Sequence, residues 1–433
     1  MSATAPLLDD LRGPFDPDFA LPQLSRQALA DLGREWLLLG HLQDRVGLPR
    51  VLAAHGEEAL TRVSIEEWMA ASPVYSKRMQ RALRFEGADV ATIFKNLQLD
   101  IGAPHQFMEF RFDLNGPHEG DFWLERCGPL LDVEPFGERR VRLMCHDVED
   151  PTFDATAAAT HPRAKIRPIH RPPRVPAGRV PHCRWRVAID GEGAPFAPHP
   201  NLERVAASEI ARLRVSLPER DAEPGGWPDY AGPFDPEFQL EDLSHRALLA
   251  ADQEFAVQSH LLARSFLLCV EQRFGADFAR EVGRRQWTGI AGLAAERLRR
   301  ALAIEGDGPD AIAKVLQVHP SFHPRDYVDL RLALEDGGVR VAFGDGPAFA
   351  EGDPHSWLAG LGAAPHPALD AIARALNPRA SSVPAAPRAG ERLAYRIEID
   401  PAAAPHPESP EVRLAKVSRG AGLALERRRP LRA

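Results

Sequence analysis

The sequence lacks most of the features that assign a chain to a specialised class of protein. Its 433 residues contain no apolar run of the ~18 residues that a membrane-spanning helix needs. Only four cysteines are present, with no C-x-x-C pair, which argues against a disulfide framework and against a zinc ribbon. Phosphate-binding loops, dinucleotide fingerprints and HExxH motifs are also missing. No common nucleotide-binding or zinc-protease motif is therefore present to assign a function.

Charge and composition indicate a soluble globular protein. The chain is 44% hydrophobic and 26% charged, with a formal net charge of −8, so it lacks the basic balance of a dedicated nucleic-acid binder. Its first residues show neither the basic start nor the apolar segment of a secretory signal. Together with the free thiols, these features predict a cytoplasmic protein without a nucleic-acid or membrane partner.

One segment of the chain occurs twice. GPFDPDFALPQLSRQAL begins at Gly13, and GPFDPEFQLEDLSHRAL begins at Gly232, 219 residues later. Further residues match at the same spacing: Glu35 and Glu254, His41 and His260, Arg45 and Arg264, Gly56 and Gly275, and Trp68 and Trp287. The repeat predicts a tandem duplication that packs like a fused dimer with a pseudo-twofold axis. We predict a first repeat at 13–217, a Pro/Gly-rich linker at 218–231, and a second repeat at 232–427.

Each repeat begins with helical periodicity and continues with strand periodicity. The pattern predicts a helix over 24–46 that Gly47 and Pro49 end or kink, and further helices over 57–85 and 89–97. Alternation of apolar and polar residues predicts strands, which in the first repeat cover 107–114, 121–127, 139–150, 164–170 and 182–190. Helices followed by strands predict an α+β fold in which each repeat has an N-terminal helical block and an antiparallel sheet.

Three cysteines mark the first repeat. Cys127, Cys145 and Cys183 lie on or beside predicted strands, and the second repeat has no thiol at the matching positions and no counterpart of Asp147. Strand alternation places Cys145 and Asp147 on one face, and Cys183 on an apolar inward face. Two inward thiols beside a carboxylate predict a pocket in the first repeat.

Two chemistries fit this pocket. Cys145, Cys183 and Asp147 could hold zinc or another transition metal. Alternatively, Cys145 is a nucleophile activated by a histidine from elsewhere in the fold, such as His105, His170 or His182. A third interpretation is that the cysteines only pack in the core, as free cysteines often do.

Residues that both repeats keep favour a structural role. His41 and Arg45 lie four residues apart on one helix face, as do His260 and Arg264. Because the second repeat retains them without the thiols, we expect a buried charge pair or a contact between the repeats.

The order of features in residues 125–190 resembles the L-2-amino-thiazoline-4-carboxylic acid hydrolase-like family, and more loosely the 4-vinyl-reductase type of ligand-sensing domain. The matching features, in order, are Cys127-Gly-Pro129, Cys145-His-Asp147, His161-Pro162, the strand 166–170, Gly178 and Cys183-Arg-Trp185. The resemblance implies hydrolysis of a small cyclic C–N or C–S substrate, or binding of a small apolar ligand, at Cys127, Cys145, Asp147 and Cys183. This chain departs from the pattern because it has Cys-Gly-Pro where the family has Cys-Pro.

The sequence therefore predicts a hydrolase-like enzyme that acts on a small molecule in the first repeat, with Cys145 and Asp147 as the catalytic pair. Cys127, Cys183, His170 and His182 would complete the ligand-binding site, and a metal could assist. The alternative is a non-enzymatic module that binds a small apolar ligand and whose cysteines are structural. In both cases the expected partner is a small molecule.

Overall fold

The computed structural model describes residues 6–191 and 194–427, which form two helical blocks and two four-stranded antiparallel sheets, each sheet following helices along the chain. The predicted α+β class is thereby confirmed. None of the helices described is both long enough and apolar enough to cross a bilayer. The helices are α1 Arg26–Leu42, α2 Asp44–Ala82, α3 Val90–Leu97, α4 Gly128–Val133, α5 Glu138–Arg142, α6 Glu149–Ala158, α7 Asn201–Ala206, α8 Glu209–Arg212, α9 His245–Phe274, α10 Ala276–Ala301, α11 Pro309–Val318, α12 Pro367–Arg374 and α13 Pro410–Ala415. The strands are β1 Met108–Leu114, β2 Glu119–Cys127, β3 Ala164–His170, β4 Cys183–Ile189, β5 Leu330–Glu335, β6 Gly338–Phe343, β7 Ala380–Ala385 and β8 Leu393–Ile399.

The two sheets have the same strand order. The first is β1-β2-β4-β3 and the second is β5-β6-β8-β7, so in each half the last strand lies between the second and third. In β4 the alternate residues Trp185 and Val187 are buried in the core, whereas Arg184 and Arg186 leave the sheet on the other face. Both arginines bond to Asp121 on the neighbouring strand β2, which fixes the register from the outer face.

The strand predicted over 139–150 is wrong. The chain there forms α5, a π-helical turn over Leu143–Val148 and then α6. Val141 and Cys145 are both buried, and residues four apart share a helix face, so a helix buries these two residues as well as a strand would. A short apolar pattern of this kind does not separate the two structures.

The first helical block is a hairpin. The helix predicted to end or kink at Gly47 and Pro49 is interrupted instead at Gln43, one turn earlier, and α2 continues through Pro49. At Gly56 the backbone has φ 84°, a conformation that favours glycine, and α2 folds back there. Gly275, with φ 89°, makes the same reversal between α9 and α10.

Buried ion pairs join the two halves reciprocally. The Arg78 guanidinium donates to Glu254 at 2.9 and 2.7 Å, and Arg297 donates to Glu35 at 2.6 and 3.0 Å. All four side chains are at least nine-tenths buried. Arg297 lies 219 residues after Arg78, and Glu35 lies 219 residues before Glu254. The two pairs therefore join the same two positions, with the halves exchanged.

Hydrogen bonds from lysine side chains to main-chain carbonyls also join the two halves reciprocally. A lysine of each half donates to two carbonyls of the other half: Lys95 to those of Tyr230 and Gly232, and Lys314 to those of Leu11 and Gly13. Tyr230 belongs to the segment predicted as a linker, and its side chain is buried. Each half therefore packs an N-terminal arm against the other half.

Loss of one of these arginines is expected to destabilise the whole chain. Arg297→Met leaves Glu35 buried without its partner, which costs about 3–5 kcal/mol of unfolding free energy. Arg62→Met removes an exposed i,i+4 pair with Glu58 and should cost less than about 0.5 kcal/mol. Urea unfolding of both variants measures the difference, and equal losses would contradict the importance of the buried pair.

Candidate functional site

A cavity of about 500 Å³ lies in the first half, between the α2 hairpin, β1 and the helices that follow β2. Its wall is mostly apolar and includes Leu48, Leu52, Leu60, Trp68, Leu97, Met108, Phe110, Val133, Leu143, Met144, Val148 and Phe153. The volume and the apolar wall are those of a site for a small molecule.

The second half supplies one side of the cavity. Leu414, Val417 and Ser418, in and after α13, line it together with the residues of the first half. Phe136 and Val417 line the cavity and are both 69% exposed, so they mark its opening to solvent. Ser418 Oγ donates to Asp132 at 2.6 Å, which holds this C-terminal segment against the first half.

Two carboxyl groups meet across the α2 hairpin. Asp44 and Glu67 are nearly equidistant along the chain from Gly56, so the reversal places them on facing limbs of the helix. Asp44 lines the cavity and is 5% exposed, and its Oδ1 has no hydrogen-bond partner in the described chain. Glu67 is fully buried, and neither of its oxygens has a described partner.

Burial makes both acids weak. It raises the pKa of Asp44 to about 7, although the Arg45 charge and a hydrogen bond from Trp68 oppose this effect. Burial, and then the charge of Asp44, raise the pKa of Glu67 well above its ordinary value. The pair is therefore a proton-holding site that becomes ionised only near neutral pH.

A third acid, Asp100, lines the cavity and accepts two hydrogen bonds. Tyr75 donates its hydroxyl to Asp100 Oδ1 at 3.0 Å, and the Gly102 N–H donates to the same oxygen at 2.6 Å. Burial raises the pKa of Asp100 to about 6 against these two hydrogen bonds. Farther along the wall, burial and the charge of Asp150 raise the pKa of Glu149 to about 7.

The retained pair His41 and Arg45 lies on the cavity wall. Arg45 donates to His41 Nε2 at 3.1 Å, and its Nε lies 3.6 Å from Asp132. Burial and the Arg45 charge lower the pKa of His41, so the imidazole is neutral. In the second half Arg264 lies 3.3 Å from Glu351, in a buried ion pair of the kind that the sequence predicts for the retained residues.

The cysteines lie behind the wall and do not line the cavity. Cys127, Cys145 and Cys183 are all buried in the core, close enough for their charges to affect one another. Burial raises the pKa of Cys145, with a further contribution from Glu149, and raises that of Cys183 to about 12. The thiols are therefore protonated at neutral pH, a poor state for a nucleophile.

The structure does not assemble the predicted metal site. Asp147 is exposed on the π-helical turn, although the strand prediction placed it beside Cys145 on an inward face. In residues 6–191 and 194–427, no three His, Cys, Asp or Glu side chains are placed to hold an ion. Asp147 is thus separated from the buried thiols, and a metal site formed by Cys145, Cys183 and Asp147 stays a prediction.

The predicted histidines are also away from the cavity wall. His182 accepts a hydrogen bond from the Cys127 N–H at 3.1 Å, and burial followed by the Arg174 charge lowers its pKa. His170 ends β3 and is partly buried, which lowers its pKa as well. Neither imidazole lines the cavity.

The matching space in the second half is closed. Beside His260, His319 and Trp357 lies a cavity of about 10 Å³, which residues of the first half also line. Trp357 donates its Nε1–H to Gln286 Oε1 at 3.0 Å, and its ring lies 6.3 Å from that of His260. At the spacing of 219, the counterparts of Asp44, Glu67, Tyr75, Asp100 and Ala103 are Ala263, Gln286, Ala294, His319 and Phe322.

Sequence reasoning missed the acids of the cavity because it looked for residues lost from the second repeat only around the cysteines. The same comparison along α2 would have shown that Asp44 and Glu67 are replaced by Ala263 and Gln286. Carboxyl groups on the buried face of a helix are the signal that could have found them.

Comparisons with protein-family models, with curated proteins and with solved structures give no match to this chain. The resemblance drawn from residues 125–190 stays a prediction. Functional assignment therefore depends on the geometry of the cavity.

Buried thiols are expected to be chemically inert in the folded protein. All four, including the fully buried Cys269, should react with Ellman's reagent at least about 100-fold more slowly than free cysteine, because burial suppresses the thiolate. Unfolding in guanidinium should release four fast thiols. One fast thiol in the folded chain that disappears in Cys145→Ala would instead restore the nucleophile hypothesis.

The raised pKa of Asp44 predicts that the protein loses stability as pH rises. The carboxyl ionises near 3.8 when unfolded and near 7 when folded, so its stabilising effect is complete below about pH 4 and is lost by about pH 7. Asp44→Asn removes this loss, which is on the order of 3–4 kcal/mol. Urea unfolding at pH 4.5 and 7.5 should show a steeper decline for the parent chain, and parallel declines would contradict the assignment.

Proposed function

We propose that the first half of the chain binds a small, largely apolar molecule in its cavity, and that the second half is a closed copy that completes the cavity. The observation that carries this proposal is the contrast between about 500 Å³ of open space in one half and about 10 Å³ in the other. An open space of this size is costly in an apolar core unless a ligand occupies it. A binding module of this kind needs no reactive thiol.

Reciprocal contacts support a tandem duplication as the origin of this arrangement. The pairs Arg78–Glu254 and Arg297–Glu35 exchange the same two positions between halves. The isolated strand bridges Leu8–Leu24 and Trp227–Leu243 recur at the same spacing. Such exchange is what a twofold axis between two copies, 13–217 and 232–427, requires.

Hydrolysis through Cys145 and Asp147 finds less support. The thiol lies behind the wall and the carboxylate is exposed, so the two do not share a space that a substrate could enter. The polar groups that do face the cavity include Asp44, Tyr75 and Asp100. They suit hydrogen bonding to a ligand inside an apolar enclosure.

Blocking the opening tests the proposal directly. Nile red, a neutral apolar dye, should bind the parent chain with a 1:1 ratio and a blue-shifted emission. Val417→Trp places a large ring at the exposed rim and should weaken this binding at least about tenfold. Leu334→Trp, at an exposed position on β5 of the second half, is the matched control and should leave it unchanged. Absence of binding, or equal effects of the two variants, would contradict the proposal.

Filling the cavity from within gives a second test. Ala103→Phe introduces the side chain that Phe322 supplies at the matching position of the closed half. Nile red binding should be lost while the thermal unfolding transition stays cooperative. A folded variant that binds the dye as before would place the dye elsewhere on the protein.

A further inference from the structure

Building on the binding function proposed above, we infer that the occupant of the cavity is an apolar organic amine whose protonated nitrogen donates to Asp44. The inference concerns the chemical class of the ligand, which cavity size and apolarity leave open. It rests on an unpaired acceptor in the wall and on the side chain that fills the closed half.

The acceptor is incomplete in the protein alone. Asp44 is 5% exposed, lines the cavity and has an oxygen without a described donor, while Glu67 beside it has none for either oxygen. A buried acceptor left without a donor costs free energy, which a ligand N–H recovers. Binding of a cation also favours the ionised form of the pair.

The closed half contains a natural analogue of the ligand. Trp357 fills the space beside His260, the counterpart of His41, with an apolar ring system that carries one N–H. That N–H donates to Gln286, which occupies the position of Glu67. The second half thus shows that this space accommodates an aromatic ring system whose N–H donates to a side chain of α10. This helix corresponds to the part of α2 that follows Gly56.

The open half replaces a neutral acceptor with acidic ones. Asp44 and Glu67 stand where the closed half has Ala263 and Gln286. A carboxylate makes stronger, charge-assisted hydrogen bonds to an ammonium group than an amide makes to a neutral N–H. The exchange therefore shifts the preferred donor from a neutral nitrogen to a protonated amine.

The cavity wall carries both acids and arginines. Arg45 is already engaged by His41 and Asp132. Arg140 lies on α5, 4.0 Å from Glu57, and its buried Nη1 has no described hydrogen-bond partner, so an anionic ligand is the competing outcome. The acids that line the cavity outnumber these two arginines.

Displacement of Nile red by three compounds of similar shape tests the inference. Phenethylamine should displace the dye at a concentration at least about tenfold lower than 2-phenylethanol, and phenylacetate should be the weakest. In Asp44→Asn the advantage of the amine over the alcohol should disappear, while the affinity for Nile red changes less than about twofold. Glu67→Gln, which copies Gln286, should reduce the advantage too.

The matched control is an acid outside the cavity. Glu58→Gln removes an exposed carboxyl from α2, the helix that carries Asp44, and should preserve the advantage of phenethylamine. Loss of the advantage in this variant alone, tightest binding of phenylacetate, or equal binding of amine and alcohol by the parent chain would overturn the inference. In each of those cases Nile red binding blocked by Val417→Trp would still support the binding function itself.

Discussion

The Arg297 guanidinium connects three parts of the molecule that are far apart in sequence. It bonds Glu35 of α1 and also donates to the carbonyls of Gly420, Ala421 and Leu423. The segment that it holds begins at Gly420, three residues after Val417 at the opening of the cavity. Because the guanidinium is almost fully buried, its bonds are little screened by water. One buried cation thus fixes the interface between the halves and the wall of the site.

The same scaffold produces an open site in one half and a packed core in the other. Both halves have a helix that reverses at a glycine with positive φ, and both retain a tryptophan at the matching position of the returning helix. The difference lies in side chains: Phe322 and Trp357 occupy the volume that Ala103 and the cavity leave open. Two buried carboxyl groups, Asp44 and Glu67, add an electrostatic cost to the open half. Sites that weaken a fold in this way are typical of functional positions.

Sequence patterns predicted the elements whose periodicity was unambiguous. The sequence indicates all of the strands β1 to β4, and β4 shows the alternation most clearly, with Cys183, Trp185 and Val187 buried. The stretch around Cys145 was misassigned because its buried residues satisfy a helical spacing as well. That error placed Asp147 beside Cys145 on an inward face, whereas the structure has it on the surface. The cavity itself could not be predicted, because Leu414, Val417 and Ser418, distant in sequence, supply one side of it.

The reciprocity of the two halves has a consequence for how such a molecule can evolve. A symmetric homodimer encodes both of its pockets in one gene, so a mutation that fills one pocket fills the other as well. Once two copies are joined in a single chain, each copy can change independently. In this chain Trp357 is held against Gln286 in the second half, whereas the first half keeps an open cavity. A single chain can therefore keep a well-packed core in one half and a cavity in the other.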